Sequence, residues 1–173
     1  MNIFVLSDCP VESARLQHDK HVVKMTLETA QLVSQALHLR EDWLDLVPAC
    51  ERDNLYRVTH RHHPCAKWAR ESLSNLKWLV THGLALADEY AFRFSGVNKS
   101  RAVTSIGEYL TTDVDYSGLT PFAQALPNKY KDSDAVLAYR LYYIHEKING
   151  RSKWTDRRSS LPNWLFKHTF RGQ

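Results

Sequence analysis

The sequence is poor in the features that mark secreted and membrane proteins. It has three cysteines among 173 residues, Cys9, Cys50 and Cys65. So odd and sparse a set excludes a disulfide framework and predicts a reducing, cytoplasmic setting. No apolar run approaches the roughly 20 residues of a membrane helix, so we expect no membrane partner. The apolar start, residues 1–6, lacks a basic region and soon meets Asp8; a short buried strand is predicted there rather than a signal peptide.

Strand-like alternation is absent after residue 6, and the chain has no internal repeat. Apolar residues instead recur at steps of three and four, which is typical of helices. We therefore predict a mainly α, single compact helical domain over residues 1–150, with a short N-terminal strand and a basic C-terminal tail, 151–173, packed on it. The expected helices cover about 11–19, 20–39, 64–94 with a break near His82 and Gly83, 101–110 and 134–147.

Acidic residues are almost missing from the tail. Residues 151–173 carry six basic side chains against one acid, Asp156, whereas the whole chain has a net charge of +4. Aromatic residues, Trp154 among them, are interleaved with these charges. Basic and aromatic side chains together are typical of binding to single-stranded or flipped nucleic acid, so Lys153 and Trp154 are candidate contacts. The alternative is a solvated, partly docked terminal segment.

A narrow polar stripe runs along the helix predicted over residues 20–37. On a helical wheel a sector of roughly 80° holds five polar side chains: Lys20, Lys24, Glu28, Gln31 and Gln35. Apolar residues flank it on both sides, which predicts a central helix. If the stripe is solvated, Lys24 and Glu28 form a pair worth a few tenths of a kcal/mol. If it faces a cleft, both are available for acid–base chemistry, with His21 at the edge.

Histidines cluster in the segment His60-Arg61-His62-His63-Pro64-Cys65. Zinc accepts such ligands, but the spacing matches no standard zinc pattern. The alternative is that His62 or His63 caps the next helix or contacts an anion at its N-terminus. Further along, Trp68 and Asn75 form either a packing surface or a cleft wall that stacks and hydrogen-bonds a base. No cofactor is expected.

Two segments carry a resemblance to known proteins. They are Asp19–Met25, leading into Glu28 and Gln31, and His63–Trp68, leading into Arg70 and Asn75. Both resemble a group of small, mostly phage-encoded proteins of unassigned function, which would place the chain in the host-cell cytoplasm. Over roughly residues 1–95 they resemble, more distantly, the pyrimidine-dimer DNA glycosylase (phage endonuclease V) family.

The distant resemblance implies an all-helical fold and a particular chemistry. In that family the amine of an N-terminal threonine attacks the sugar C1′ of a damaged nucleotide, assisted by a glutamate and arginines on an early helix. Lys20 and Lys24 would stand where the arginines lie, and His21 would fall at the position of the glutamate. Glu28, one to two turns later, would replace that carboxylate. Since methionine before asparagine is usually retained, the amine would belong to Met1.

The leading hypothesis is a DNA- or nucleotide-acting enzyme with glycosylase-like chemistry at a damaged or modified pyrimidine nucleotide. The proposed catalytic residues are Lys20, His21, Lys24, Glu28 and His63. The proposed substrate contacts are Gln31, Trp68, Arg70, Asn75, Lys153 and Trp154. Two alternatives stay open: a non-catalytic nucleic-acid-binding or host-interaction protein, and a metal-dependent nuclease using the cluster at residues 60–65.

Overall fold

Helices form the regular secondary structure of the computed structural model, which describes residues 1–155, 161 and 164–165. The mainly α prediction is confirmed. A 3₁₀ turn covers Asn128–Tyr130 and a π-helical turn covers Tyr143–Lys147. The α-helices are α1 Pro10–Arg15, α2 Asp19–His38, α3 Glu41–Leu44, α4 Ala49–Arg52, α5 Pro64–Ala69, α6 Leu73–Phe94, α7 Ser100–Ser105, α8 Glu108–Thr111 and α9 Ala135–Tyr142. Most of the predicted basic tail lies outside the described residues.

The N-terminal segment is buried as predicted, but it is not a strand. Ile3, Val5 and Leu6 are fully buried, yet the described part of the chain contains no strand with which they could pair. Phe4 has a φ of 39°, which bends the backbone. The hydroxyl of Ser13 accepts the Leu6 N–H at 3.0 Å and donates to the Phe4 carbonyl at 3.2 Å. A side chain therefore satisfies the backbone groups that a neighbouring strand would otherwise bind.

The central packing contact joins α2 to α6, with α1 and α7 packed beside them. Gly83 lies at this crossing, where a Cβ atom would approach the Cγ2 atoms of Thr29 and Thr104 to 2.6 and 2.8 Å. The predicted helix break at Gly83 is wrong, because α6 runs through it. The break comes earlier, between α5 and α6, where the Ser72 hydroxyl caps α6 by accepting the Asn75 N–H at 3.1 Å. A glycine is needed at this position because the neighbouring helices approach α6 too closely to leave room for a side chain.

The first half of α2 has an exposed face. Val23 and Leu27 are 47% and 45% exposed, and Lys20 and Lys24 beside them are also exposed. The prediction that both apolar flanks of this helix are covered is therefore wrong for the first half of this flank, whereas its second half, Ala30, Val33 and Leu37, is fully buried. The other flank, which includes Val22, packs into the core. The distribution of polar residues around a helical wheel does not show which side of the helix packs against other elements.

A buried arginine ties the end of α6 to the junction of α1 and α2. The side chain of Arg93 has no exposed surface, and it pairs with Glu89 at 3.0 Å and Asp19 at 3.2 Å. Its guanidinium also donates to the carbonyls of Gln17 at 2.8 Å and Arg15 at 3.0 Å. Because Asp19 is the first residue of α2, this network fixes where α2 begins.

His82 is a fully buried histidine between α6 and α1. Its Nδ1 donates to the Pro10 carbonyl at 2.9 Å, so Nε2 accepts from the Gln17 amide at 3.2 Å. The ring stacks on Trp78 with centroids 4.8 Å apart. Burial lowers the pKa of His82 from 6.5 to about 4. The folded protein therefore holds this ring neutral.

Acidification is expected to destabilise the protein through His82. The unfolded chain binds a proton near pH 6.5, whereas the folded chain resists it down to about pH 4. The contribution of His82 to the free energy of unfolding is thus complete above pH 6.5 and falls by about 1.4 kcal/mol per pH unit between these values. Urea unfolding at pH 7.5, 6.0 and 5.0 measures this slope. His82→Gln should remove about that much of it, whereas exposed His62→Gln should not; equal slopes in both variants would refute the assignment.

Candidate active site

The carboxylate of Glu28 lies where the chain's first residues meet α2. Its Oε2 accepts the Asn2 N–H at 3.0 Å and lies 3.8 Å from the Met1 amine. Lys24 Nζ, one helical turn earlier, lies 3.3 Å from Oε1. The Glu28 side chain is 15% exposed and that of Lys24 is 67% exposed. Two amines therefore flank one partly buried carboxylate.

The position of the Met1 amine is fixed by its neighbour Asn2. The Asn2 side chain accepts the N–H groups of Ile3 at 2.8 Å and Phe4 at 3.2 Å, and it donates to the Ala125 carbonyl at 2.8 Å. The Met1 side chain is only 4% exposed. Phe4 adopts a left-handed backbone conformation, which is uncommon for a bulky residue and tends to occur at functional sites. The amine is thus held in place before any substrate arrives.

His63 comes close to the same pair from the start of α5. Its Nδ1 caps the helix by accepting the Cys65 N–H at 3.2 Å, which leaves the proton of the neutral ring on Nε2. Burial lowers the pKa of His63, the charges of the N-terminal amine and His60 lower it further, and Glu28 opposes them. Since α5 also packs against α2, the two segments singled out in the sequence lie next to each other.

His21 lies beside this pair, in an aromatic environment. Its ring centroid is 4.5 Å from that of Phe4, 4.3 Å from that of His18 and 5.1 Å from that of Tyr143. Burial, together with the charges of His18, Lys147 and Lys24, lowers the pKa of His21 from 6.5 to about 3. A neutral ring therefore occupies the position that the resemblance assigned to a carboxylate, while Glu28 adjoins the amine.

The other polar residues of the predicted site lie around this centre. Lys20 is exposed on the same face of α2 as Lys24, and Gln31 is partly exposed less than one turn beyond Glu28. Arg70 holds the loop before α5, because its guanidinium donates to the carbonyls of Ala66 at 2.8 Å and Arg61 at 3.0 Å.

The sequence profile of the pyrimidine dimer DNA glycosylase family matches residues 1–104. The chain belongs to this family. The match includes Met1, all of α2 with Glu28, and His63, so the site described above lies inside it. At the family level, the activity of this chain is thus DNA glycosylase-like, with DNA as the substrate and DNA repair as the process. No curated protein and no solved structure gives a significant match to the chain.

Two of the predicted base contacts, Trp68 and Asn75, are buried and packed inside the protein. Asn75 is fully buried, and its amide binds the Trp68 carbonyl at 2.8 Å and both the hydroxyl and N–H of Thr120, at 2.8 and 2.9 Å. Trp68 is 2% exposed and packs against Trp78 and Phe122. Both side chains hold the segment around Thr120 on the helices, so we leave them out of the proposed site.

Two residues of the predicted tail dock at the start of α2. The indole of Trp154 donates to the Leu16 carbonyl at 2.9 Å, and the Lys153 carbonyl accepts the Asp19 N–H at 2.9 Å. Next to them, Thr155 donates to both carboxylate oxygens of Asp19, at 3.0 and 2.7 Å. These contacts bring the exposed Lys153 side chain to the same end of α2 as Lys20.

The histidine segment provides no metal centre within the described part of the chain. There, no group of three or more His, Cys, Asp or Glu side chains is positioned to hold an ion. Burial raises the pKa of the Cys65 thiol to about 12, which keeps it protonated. The metal-dependent nuclease is therefore not supported.

Among the residues that the structure describes, no helix combines the length and the apolar character needed to cross a membrane.

Proposed function

We propose that this chain is a DNA glycosylase that cleaves the glycosidic bond of a pyrimidine dimer, with the Met1 amine as nucleophile and Glu28 as its proton acceptor. The observation that carries the proposal is the 3.8 Å separation between that amine and Glu28 Oε2. An amine attacks only when neutral, so it needs an acceptor within reach. Membership in the family supports the same substrate.

The chemistry follows from the atoms around Glu28. The amine of Met1 forms a bond to the sugar C1′ while the C1′–N1 bond breaks, and the electron pair of the broken bond stays on N1 of the base. Glu28 accepts the first proton that the amine loses and returns it to N1. The ring oxygen O4′ then leaves C1′ as a hydroxyl by taking up the second proton of the Met1 nitrogen, which leaves an imine between that nitrogen and C1′. The N–H of neutral His63 is suited to donate a hydrogen bond to that oxygen.

The surrounding residues position the DNA. Lys20 and Lys24 lie exposed on one face of α2, where their charges suit backbone phosphates. Gln31 extends that face, and Arg70 keeps the neighbouring loop in place. Lys153 adds a charge at the start of α2, and docked Trp154 anchors it there.

Met1 is a better nucleophile than Lys24 on structural grounds, although both amines flank Glu28. Holding a reacting group in one geometry lowers the entropic part of the barrier. The Met1 amine is held by the hydrogen bonds of Asn2. The amine of Lys24 ends a flexible side chain that is 67% exposed.

Cleavage of a labelled duplex with one cyclobutane thymine dimer tests the proposal, after intact-mass measurement establishes that Met1 is the first residue. We expect the glycosidic bond to break at the dimer, which hot alkali converts into a strand break, and no break in the undamaged duplex. Acetylation of the Met1 amine should abolish turnover, because an amide nitrogen is not nucleophilic. Lys24→Met should keep turnover within about tenfold, the loss expected from one weakened phosphate contact. Full activity of the acetylated protein, or binding of the dimer duplex without any cleavage, would refute the proposal.

A further inference from the structure

The Met1 amine lies at the end of the chain, where a backbone is poorly ordered unless other groups tie it down. Asn2 ties this end to the rest of the protein by two hydrogen bonds. Its N–H donates to Glu28 at 3.0 Å, and its side-chain amide donates to the Ala125 carbonyl at 2.8 Å. The side-chain oxygen of Asn2 accepts N–H groups within residues 3–4, which shapes the end without anchoring it. How firmly the amine is held therefore depends on what holds Ala125.

Ala125 lies in a segment that has no regular secondary structure. Residues 119–127 form neither helix nor strand, so no repeating pattern of backbone hydrogen bonds fixes them. The hydroxyl of Tyr139, on α9, binds two of their backbone groups instead. It accepts the Ala125 N–H at 3.2 Å and donates to the Ala123 carbonyl at 2.7 Å. The N–H of Ala125 is thus bound by Tyr139, and its carbonyl by Asn2.

The Tyr139 side chain is itself held in place. It is fully buried, and burial raises the pKa of its hydroxyl well above its usual range, so the group stays protonated and able to donate. The ring also packs against Phe4, where the N-terminal backbone bends, with centroids 6.0 Å apart and planes at 63°. Tyr139 therefore contacts the N-terminal segment by two routes, one through Ala125 and one through Phe4. It lies outside residues 1–104, in the part of the chain that the family profile does not match.

We propose that Tyr139 is a positioning residue, which acts through Ala125 and Asn2 to hold the Met1 amine beside Glu28. The inference rests on the proposed function for the role of that amine, and it goes beyond the family match. A displacement of about 1 Å in a reacting group can slow a reaction by about a hundredfold. The Tyr139 hydroxyl should therefore affect the rate of cleavage and not the binding of DNA.

Single-turnover cleavage of a dimer-containing duplex compares Tyr139→Phe with a matched control. Tyr139→Phe keeps the ring, and it should slow cleavage by about 10- to 100-fold while binding of a duplex with a tetrahydrofuran abasic-site analogue stays unchanged. Tyr143→Phe removes another fully buried hydroxyl, which accepts the His18 N–H at 3.0 Å, and should cleave at the normal rate. Equal slowing by both variants, or normal cleavage by folded Tyr139→Phe, would overturn the inference.

A double-mutant cycle tests whether Tyr139 acts through Asn2. Asn2→Asp keeps the oxygen that accepts the neighbouring N–H groups but loses the amide donor to Ala125, so it breaks the same chain of contacts at its other end. If both residues act through Ala125, the double variant should be no slower than Asn2→Asp alone. Independent effects would multiply, and a multiplied loss would overturn the inference. If Tyr139→Phe does not fold, Asn2→Asp decides alone, and a normal rate would overturn the inference.

A measurement on the free protein separates this inference from the proposed function. The rate at which acetic anhydride modifies the Met1 amine, followed by mass spectrometry of the N-terminal peptide, reports how firmly the amine is held. The Met1 side chain is only 4% exposed, so an amine released by Tyr139→Phe should react faster, whereas Tyr143→Phe should leave the rate unchanged. An unchanged rate in folded Tyr139→Phe would overturn the inference. A faster rate, with no cleavage of dimer DNA by the unaltered protein, would refute only the proposed function.

Discussion

Glu28→Gln is expected to slow single-turnover cleavage of a dimer-containing duplex by about 10²–10⁴-fold, the contribution typical of general acid–base catalysis. Glutamine keeps the size of the side chain and an oxygen for the Asn2 N–H bond, now 3.0 Å long. It cannot take the proton that the Met1 amine must lose. Binding to a duplex that carries a tetrahydrofuran abasic-site analogue, which a glycosylase cannot cleave, should stay the same or tighten, because a negative charge near the DNA disappears.

A matched substitution separates this effect from a general loss of charge. Glu108 is an exposed glutamate on α8, and Glu108→Gln should cleave at the normal rate. Single-turnover conditions remove any contribution from product release. A Glu28→Gln rate within tenfold of the unaltered protein would mean that another group accepts the proton.

Arg93→Met should lower the free energy of unfolding by about 3–5 kcal/mol, the cost typical of removing one partner of a buried ion pair. The guanidinium has no exposed surface, and Glu89, its closest ionic partner, is 2% exposed. The carboxylates of Glu89 and Asp19 would lose a buried cation, and two backbone carbonyls would each lose a donor. Urea denaturation at pH 7.5 measures the change.

An exposed ion pair between α7 and α6 provides the control. Arg101 pairs with Asp88, and both side chains are about half exposed, at 47% and 52%. Arg101→Met should change the unfolding free energy by no more than about 1 kcal/mol. Equal destabilisation by the two variants would mean that the burial of Arg93 has no special role.

The helical fold was predictable because apolar spacing in α2 and α6 reports local structure directly. The exposure of Val23 and Leu27 was not, since it depends on which elements pack against α2. The segment around Thr120, which has no periodic pattern, covers Trp68 and Asn75 and turns a predicted cleft wall into core. Residues far apart in sequence decide these outcomes.

The proposed active site was likewise predictable in its residues but not in its geometry. Lys24, Glu28 and His63 could be named from residue type, helical spacing and the resemblance. Their convergence on the Met1 amine depends on the bend at Phe4 and the hydrogen bonds of Asn2, neither of which a helical wheel can reveal.

The most direct test of the account is to trap the covalent intermediate with borohydride. The protein is incubated with dimer-containing DNA and sodium borohydride, digested with a protease, and the cross-linked peptide is identified by mass spectrometry. The account predicts one adduct, on the nitrogen of Met1, that is absent when this amine is acetylated. An adduct on Lys24, or efficient cleavage with no adduct at any amine, would contradict it.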